Sequence, residues 1–523
     1  MSESDTKEER EEAVALALAV AEEEEEVQMP DIVVEERTKQ YITPAQDFIN
    51  GRMYYVNHLT TTNGKMPFIV SSDRKLIPLI AEEVAASGLV ISPSYFDEKT
   101  GKIAPLKDQL RWSIGSAEPY NIHAYLKEGL TVNPYILYQD IRSKFSSYLD
   151  YPDERYHTLM AVYSMGTYTY MIFDAYPYIL LYGPKRIGKT RSMEIIEALG
   201  FNSCAVSSSS PAFLFRKSER DKSTMIWDEA RFAFKGNTSS KSEIMDMLKS
   251  GYKKIGRAGR CSGDGHTPVE FSSYSPKIFG NTVGFDNILE DRSITLHLKR
   301  SGKSLPKFRM KKLRDEFSVL RNKLYIFGLD FAGKIDEIYQ NLEEIEGISD
   351  REEEIWSGPL SIAKLIDSYS PEKSNTVFNE LVSLAKDLKA VKDIKDVAED
   401  VDTLVLARTY EYLLDTESDQ YMIDGNLYNG DSLCSYIVGS SDARLNNSQL
   451  GKILTKVHII KEGYDDKRRV RVANIAGRRR QVMFYRLDKA KVEVLVKNYG
   501  IKGESAQVTH LPCTLHRMGI SSS

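Results

Sequence analysis

The sequence predicts an α/β protein whose core is a parallel β-sheet with helices on both faces. Short apolar runs such as "PYILLY" (177–182) and "TMIW" (224–227) alternate with segments of helical periodicity. Between these two runs, Ser210 and Pro211 are typical of a helix N-cap and first helical residue, so a further strand–helix unit fits there. Because alternating strands and helices form parallel sheets, we expect ligands at the carboxyl ends of the strands.

The most specific motif is "GPKRIGKT", which follows the first apolar run and matches G-x-x-x-x-G-K-[ST]. Glycines let the backbone curl so that successive N–H groups surround phosphate oxygens, and the helix that follows, with Gly200 as its stop, adds its positive end. Lys189 is expected to reach the β- and γ-phosphates, and Thr190 to ligate Mg²⁺. We therefore predict a site for ATP and Mg²⁺ formed by Gly183, Pro184, Lys185, Arg186, Ile187, Gly188, Lys189 and Thr190.

Composition indicates an intracellular, multidomain protein. A chain of 523 residues is too long for one ordinary core, and 41% hydrophobic and 28% charged residues are typical of globular domains. No apolar stretch is long enough for a membrane span, and the acidic start is neither a signal nor a transit peptide. The four cysteines are far apart without a C-x-x-C pair, which argues against a zinc site and favours a reducing, cytoplasmic setting.

The charge is unevenly placed along the chain. Residues 1–39 hold 14 acidic and 4 basic side chains, so the formal net charge of −5 hides a basic remainder. We expect residues 1–39 to be a disordered acidic tail.

Polar residues follow two further apolar runs after the phosphate loop. "TMIWDEA" ends in Asp228 and Glu229, of which the first would hold Mg²⁺ and the second would polarise the attacking water. "SYSPKIFGN" ends in Asn281, which would sense the γ-phosphate or the water, or would cap a turn.

An arginine precedes the next strand pattern. Arg292 stands before alternating Ile294, Leu296 and Leu298, at the mouth of a strand. It would neutralise transition-state charge on the nucleotide of a neighbouring subunit, or would pair with Asp291 or Glu290.

The order of these motifs resembles the AAA+ ATPases of the helicase branch, particularly minichromosome-maintenance-like helicases. It is similar, more closely still, to an uncharacterised-domain family found in helicases and helicase–primases of plasmids, phages and integrated elements. The resemblance covers roughly 145–370 and the C-terminus, and includes "SDREEEIWSGPLSIAKLID" (349–367). It implies that Arg351 is a second sensor arginine that reaches nucleotide from a helical lid, whereas a helical arginine among glutamates is usually in a surface ion pair. This chain departs from the family at Ala230 and Arg231 and has no obvious primase segment, so the resemblance does not support a polymerase activity.

A basic hairpin is predicted at 253–271, between the second and third apolar runs. Two strand-like arms flank "SGDG", and in the helicases that this chain resembles such a hairpin grips the DNA backbone. Phosphate contacts of this kind bind without reading sequence. The alternative is a solvated basic hairpin; the candidate residues are Lys253, Lys254, Arg257, Arg260 and His266.

The C-terminal segment predicts a winged helix-turn-helix. Helical patterns at 402–416, 430–438 and 445–457 precede a strand pair at 467–487. Ten Lys/Arg against one acid across 467–491 indicate DNA contact. The candidate residues are Lys467, Arg468, Arg469, Arg471, Arg478, Arg479 and Arg480.

These patterns give the expected domain order. It consists of a tail (1–39), an N-terminal small α/β domain (40–131), a P-loop AAA+ core (132–305), a helical lid (306–398), a winged helix (399–500) and a C-terminal tail (501–523).

Together they predict a homo-hexameric, ATP-driven helicase or translocase on single-stranded or forked DNA, with no membrane partner, serving replication of a mobile element. Two alternatives remain open at this point. One is an ATP-switched initiator or helicase loader, and the other is an ATP-gated winged-helix transcription regulator.

Overall fold

Strands and helices are assigned over most of the chain. The computed structural model describes residues 40–43, 45–62, 64–92, 95–96, 112, 119–206, 210–228, 238–261, 268–282, 287–348, 350–399, 401–414, 422–423, 427–439, 446–456, 459–460, 467–473 and 479–498. Its strands are β1 (Tyr41–Ile42), β2 (Gln46–Ile49), β3 (Arg52–Thr61), β4 (Gly64–Ser71), β5 (Leu76–Pro78), β6 (Val90–Ile91), β7 (Tyr178–Tyr182), β8 (Cys204–Ala205), β9 (Met225–Trp227), β10 (Arg257–Cys261), β11 (Pro268–Ser272), β12 (Lys277–Asn281), β13 (Ser293–His297), β14 (Met422–Ile423), β15 (Leu427–Asn429), β16 (Lys467–Ala473) and β17 (Arg479–Arg486).

The helices follow in the same order. They are α1 (Ala81–Ala86), α2 (Ile122–Glu128), α3 (Pro134–Tyr148), α4 (Arg155–Gly166), α5 (Lys189–Leu199), α6 (Pro211–Arg220), α7 (Thr238–Ser250), α8 (Asn287–Glu290), α9 (Met310–Gln340), α10 (Asp350–Ser368), α11 (Thr376–Glu399), α12 (Val401–Leu414), α13 (Gly430–Gly439), α14 (Asn447–Lys456) and α15 (Lys489–Asn498).

The sheet at the centre has the order β13–β7–β12–β9–β8, and every neighbouring pair is parallel. Strand β12 is buried along its whole length, as expected for a parallel strand that is covered on both faces. The predicted parallel sheet is therefore confirmed. Because β12 lies between β7 and β9, the residues that follow these three strands lie close together, at the edge of the sheet formed by the carboxyl ends of its strands.

Two helix starts in this core form as the sequence indicates. The Ser210 side chain accepts a hydrogen bond from the Phe213 N–H, and Pro211 is the first residue of α6. The Asn133 side chain caps α3 in the same way, with Pro134 at its first position.

The N-terminal elements pack directly against the core. An antiparallel sheet, β2–β3–β4–β5, presents Met53 and Tyr55 to the main hydrophobic cluster, and Tyr54 and Val56 to a smaller cluster on its other face. This alternation is the two-residue period of a strand. The Tyr55 hydroxyl donates to the Tyr168 carbonyl, which ties the sheet to the core.

The segment after β13 is helical, as predicted for the lid. Helices α9, α10 and α11 belong to the main hydrophobic cluster through residues such as Phe327, Trp356 and Leu381. They pack against one another and against α3 and α4. A role in covering a nucleotide stays a prediction.

The C-terminal part forms a separate hydrophobic cluster that contains Leu406, Leu433, Leu454 and Tyr485. The three predicted helices are present as α12, α13 and α14, and the predicted hairpin is β16–β17. Two short strands join it in a sheet of order β14–β15–β17–β16, which sequence patterns did not indicate, nor did they indicate α15. The winged-helix assignment stays a prediction.

No helix in the described part of the chain combines the length and the apolar character that crossing a bilayer requires.

Candidate phosphate-binding site and arginine cluster

The loop between β7 and α5 has a backbone that curls tightly. Gly183, Arg186 and Gly188 have positive φ angles of 142°, 65° and 95°. A Cβ at position 183 would lie 2.6 Å from the Leu298 carbonyl oxygen, so only glycine fits there. A curled segment of this kind, followed by a helix N-terminus, can hold an anion.

Lys189 places its charge inside this loop. The side chain is 8% exposed, and its ammonium group donates to the carbonyls of Gly183 at 2.6 Å and Pro184 at 2.7 Å. The lysine thus reaches from the start of α5 across the loop to its first residues. A phosphate seated in the loop would meet this charge at close range.

Thr190 and Asp228 are joined by a hydrogen bond. The Thr190 hydroxyl donates to Asp228 Oδ2 at 2.9 Å, which links the end of the loop to the residue that follows β9. Hydroxyl and carboxylate oxygens are ligands that Mg²⁺ accepts, and Mg²⁺ keeps several waters and phosphate oxygens in its shell. The described residues contain no group of three His, Cys, Asp or Glu able to hold a metal.

Asn281 lies between the loop and Asp228. It is the last residue of β12, 4% exposed, and its carbonyl accepts a hydrogen bond from the Gly183 N–H at 3.3 Å. The Asn281 side-chain oxygen accepts from the Thr282 N–H at 2.9 Å. Four of the predicted residues, Lys189, Thr190, Asp228 and Asn281, therefore share one edge of the sheet.

Glycine at position 280 is a feature of the site that motif analysis missed. A Cβ there would lie 2.8 Å from Met193 Cε and 3.3 Å from Asp228 Oδ1. The signal was a glycine inside an otherwise apolar strand, which often marks a close approach. Glu229, the predicted water-polarising residue, lies outside the described residues.

Arg292 lies at the opposite edge of the sheet, which is formed by the amino ends of the strands, whereas the loop lies at their carboxyl ends. It directly precedes β13, and its carbonyl accepts from the Tyr178 N–H at 3.1 Å, at the beginning of β7. The five residues of β7 separate this point from Gly183 by about 16 Å. The Arg292 guanidinium donates to the carbonyls of Lys249, at 2.8 Å, and Ile288. It therefore points away from the loop of its own chain.

Arg351 lies beside Arg292 rather than beside the loop. Both guanidinium groups lie over the ring of Tyr252, and the distance from the guanidinium carbon to the ring centroid is 5.2 Å for Arg351 and 5.3 Å for Arg292. Arg351 also pairs with Glu354 at 2.5 Å and with Asp291 at 3.3 Å. We call Arg292, Arg351 and Tyr252 the arginine cluster. The ion pair that the sequence allowed for Arg351 is present, and the sensor role stays a prediction.

The acids of this region are held in their charged form. Burial raises the pKa of Asp291, but the Lys392 ammonium and the Arg351 guanidinium more than offset this, so its pKa lies below the usual value. Burial likewise raises the pKa of Glu354, and Lys253 and Arg351 bring it below its usual value. The region therefore stays ionised at neutral pH.

The predicted basic hairpin forms, with a shorter first arm than the sequence suggested. Strands β10 and β11 pair antiparallel, from Arg257 opposite Ser272 to Cys261 opposite Pro268. Arg257 is exposed. Arg260 lies in β10, and His266 lies outside the described residues.

Two lysines assigned to this arm lie before it begins, which corrects their position in the hairpin. Lys253 pairs with Glu354 at 2.7 Å, and the Lys254 ammonium donates to the Met171 carbonyl at 2.7 Å. Both precede β10 because the chain first makes a tight turn against Asp174. Their charges are thus used within the chain, at the base of the hairpin.

The C-terminal basic residues fall on the second hairpin. Strand β16 carries Lys467, Arg468, Arg469 and Arg471, and β17 carries Arg479 and Arg480. Arg478 lies outside the described residues. Their contact with DNA stays a prediction.

Comparisons with known proteins give only remote likenesses. No protein-family profile and no curated protein sequence matches the chain. An apo structure of the NrS-1 C-terminal region is similar over 83% of this chain and 97% of its own, with 10% identity and a TM-score of 0.36. A structure titled as the active helicase Cch of SCCmec type IV is similar over 84% of this chain and 80% of its own, with 12% identity and a TM-score of 0.29.

The JCV helicase is similar over 49% of this chain and 60% of its own, with 13% identity and a TM-score of 0.22. Likenesses at TM-scores this low do not establish a family for the chain.

The loop geometry predicts the effect of one methyl group. Gly183→Ala should lower the free energy of unfolding of nucleotide-free protein by about 1–3 kcal/mol, because its Cβ would collide with the Leu298 carbonyl oxygen and its φ disfavours any side chain. Gly302→Ala is the matched control, since a Cβ there meets nothing within 4 Å. Chemical denaturation measures both, and equal stability of the two variants would contradict the loop conformation.

Proposed function

We propose that this chain is an ATP-hydrolysing DNA helicase or translocase of the AAA+ class that works as a closed ring, most simply a hexamer. The observation that carries the proposal is the placement of the two halves of the site. Lys189, Thr190 and Asp228 lie at one edge of the sheet, and Arg292 lies at the other, bonded to Lys249 and facing away. One chain cannot bring both to the same phosphate.

A head-to-tail contact between copies would complete the site. The surface at the amino ends of the central strands of one chain, with Arg292 and Arg351, would face the loop of the next chain. Repetition of such a contact gives a ring when the rotation closes. Arginine supplied from a neighbour stabilises the charge that develops on the transferred phosphoryl group.

The residues at the loop would divide the chemistry among them. Gly183–Thr190 would hold the phosphates, and Thr190 and Asp228 would hold Mg²⁺, which neutralises phosphate charge when it is bound. Glu229 would orient the attacking water, and Asn281 would contact the γ-phosphate or that water. These roles rest on motif order together with the shared edge of the sheet.

DNA would be held by the basic hairpin and by the C-terminal module. The β10–β11 hairpin is inserted in the chain between the strand that precedes Asp228 and the strand that ends in Asn281. Because the hairpin is connected on one side to Asp228 and on the other to Asn281, a movement of either residue on hydrolysis could shift the hairpin. Such a connection suits a motor better than a DNA-binding regulator that does not move. The β16–β17 hairpin, as the wing of a winged helix, would add a second basic surface.

The shared site predicts complementation between two inactive variants. Lys189→Ala and Arg292→Ala should each lower ATP turnover by about 100-fold or more, because each removes a charge from the transition state. In an equal mixture, about one junction in four pairs an intact loop with an intact arginine, so activity should return toward a quarter of the wild-type value.

The measurement is phosphate release with and without single-stranded DNA. The control is Arg314→Ala, which removes an exposed arginine on α9 and should keep wild-type turnover by itself. Both variants must be folded and must be mixed before they assemble. If the mixture then shows no recovery of activity, the proposed shared site is contradicted.

The hairpin predicts a change in the salt dependence of DNA binding. Arg257→Ala should lower affinity for single-stranded DNA and reduce the slope of log affinity against log salt by about 0.7, the loss of one phosphate contact. Lys254→Ala is the matched control, since its ammonium is bonded to Met171 within the chain, and it should leave the slope unchanged. Fluorescence anisotropy over a salt series measures both, and equal slopes for the two variants would contradict the assignment.

A further inference from the structure

Tyr252 contacts both arginines that the proposed function sends to the neighbouring subunit. It is 3% exposed, and each guanidinium lies over its ring. Its hydroxyl accepts a hydrogen bond from Arg351 and donates to Glu354 Oε2 at 3.3 Å. A buried aromatic ring within cation–π distance of two guanidinium groups restricts the directions in which both can extend.

Burial raises the pKa of Tyr252, which keeps the hydroxyl protonated at neutral pH. The ring therefore carries no charge of its own beside the two cations, and its influence on them is through stacking and one hydrogen bond.

The segment that carries Tyr252, the connector of residues 251–256, is tightly packed at both ends. A Cβ at Gly251 would lie 2.5 Å from the Ser273 carbonyl oxygen, and a Cβ at Gly256 would collide with the Ser250 carbonyl oxygen. The Tyr252 carbonyl also accepts from the Tyr176 N–H at 2.8 Å, near the start of β7. Two close approaches and a backbone bond leave this short connector little freedom.

The same connector joins α7 to the hairpin. It begins where α7 ends and leads directly into β10, and the Ser273 N–H, which follows β11, donates to the Gly256 carbonyl at 3.1 Å. Lys249, whose carbonyl accepts from Arg292, belongs to the last turn of α7. A displacement of the hairpin relative to the sheet would therefore reach Tyr252 and both arginines through covalent and hydrogen-bonded neighbours.

We infer that Tyr252 is a positioning residue that sets the direction of Arg292 and Arg351 toward the neighbouring nucleotide and makes that direction depend on DNA contact at the hairpin. This inference rests on the proposed shared site. Tyr252 touches no nucleotide itself; its effect is exerted through the two arginines.

The decisive variants separate the ring from the hydroxyl. Tyr252→Leu removes the stacking surface and should lower DNA-stimulated ATP turnover by about 10- to 100-fold, because misplacing a charged group by an ångström has an effect of this size. Tyr252→Phe keeps the ring and loses only the hydroxyl's bonds to Arg351 and Glu354, so it should lose less activity. Tyr274→Phe is the control, since the Tyr274 hydroxyl bonds the carbonyls of Tyr170 and Phe173 rather than an arginine.

Complementation distinguishes positioning from a general structural defect. Tyr252→Leu keeps an intact loop, and Lys189→Ala keeps an intact arginine cluster, so their mixture should regain activity toward about a quarter of the wild-type value. The ratio of turnover with DNA to turnover without it should fall toward one for Tyr252→Leu and stay at the wild-type value for Tyr274→Phe.

Each outcome decides the matter. If Tyr252→Leu keeps the wild-type stimulation ratio, or if it is inactive and Lys189→Ala does not restore it, the inference is overturned. If Lys189→Ala and Arg292→Ala fail to complement each other, the shared site itself fails and Tyr252 fails with it. If Lys189→Ala complements Arg292→Ala but does not complement Tyr252→Leu, the shared site stands and only the positioning role of Tyr252 is contradicted.

Discussion

The polarity of one parallel sheet sets the constraint on which the rest of the structure depends. All five strands run the same way, so residues that follow them collect at one edge and residues that precede them collect at the other. Lys189, Thr190 and Asp228 belong to the first edge, and Arg292 belongs to the second. Strand β7 has five residues and is about 16 Å long, so an arginine at one edge cannot reach a phosphate at the other. In the proposed function, a second copy of the chain supplies the missing arginine.

The elements between the two edges connect them physically. Helix α7, the connector with Tyr252 and the β10–β11 hairpin are continuous in the chain. The helix is bonded to Arg292, the connector is bonded to Tyr176 just before β7, and Ser273, which follows the hairpin, is bonded to the connector. The acids Asp291 and Glu354 and the basic residues Lys253 and Lys392 fix the outer side of the cluster with ion pairs. In the proposed function, this path of direct contacts would carry events at the nucleotide of one subunit to the hairpin that binds DNA in its neighbour.

The sequence was informative where local chemistry decides the structure. The G-x-x-x-x-G-K-[ST] spacing, the Ser210–Pro211 and Asn133–Pro134 helix starts, and the basic hairpin all depend on residues close together in the chain. The sequence was weaker for contacts that tertiary packing creates. The meeting of Arg292, Arg351 and Tyr252, and the internal pairing of Lys253 and Lys254, join segments far apart in the chain, and no periodicity predicts them. Gly280 is an intermediate case. The sequence shows a glycine inside an apolar strand, but it does not show that Asp228 lies next to this glycine in space.

The central claim is that two chains make one site, and the dependence of turnover on protein concentration tests it most directly. ATP hydrolysis per chain is measured over a dilution series with DNA present, and the state of assembly is followed by sedimentation at the same concentrations. The account predicts that turnover per chain falls as the assembly dissociates, because a lone chain has no neighbour whose Arg292 faces its loop. Full turnover per chain from a sedimenting monomer would contradict it.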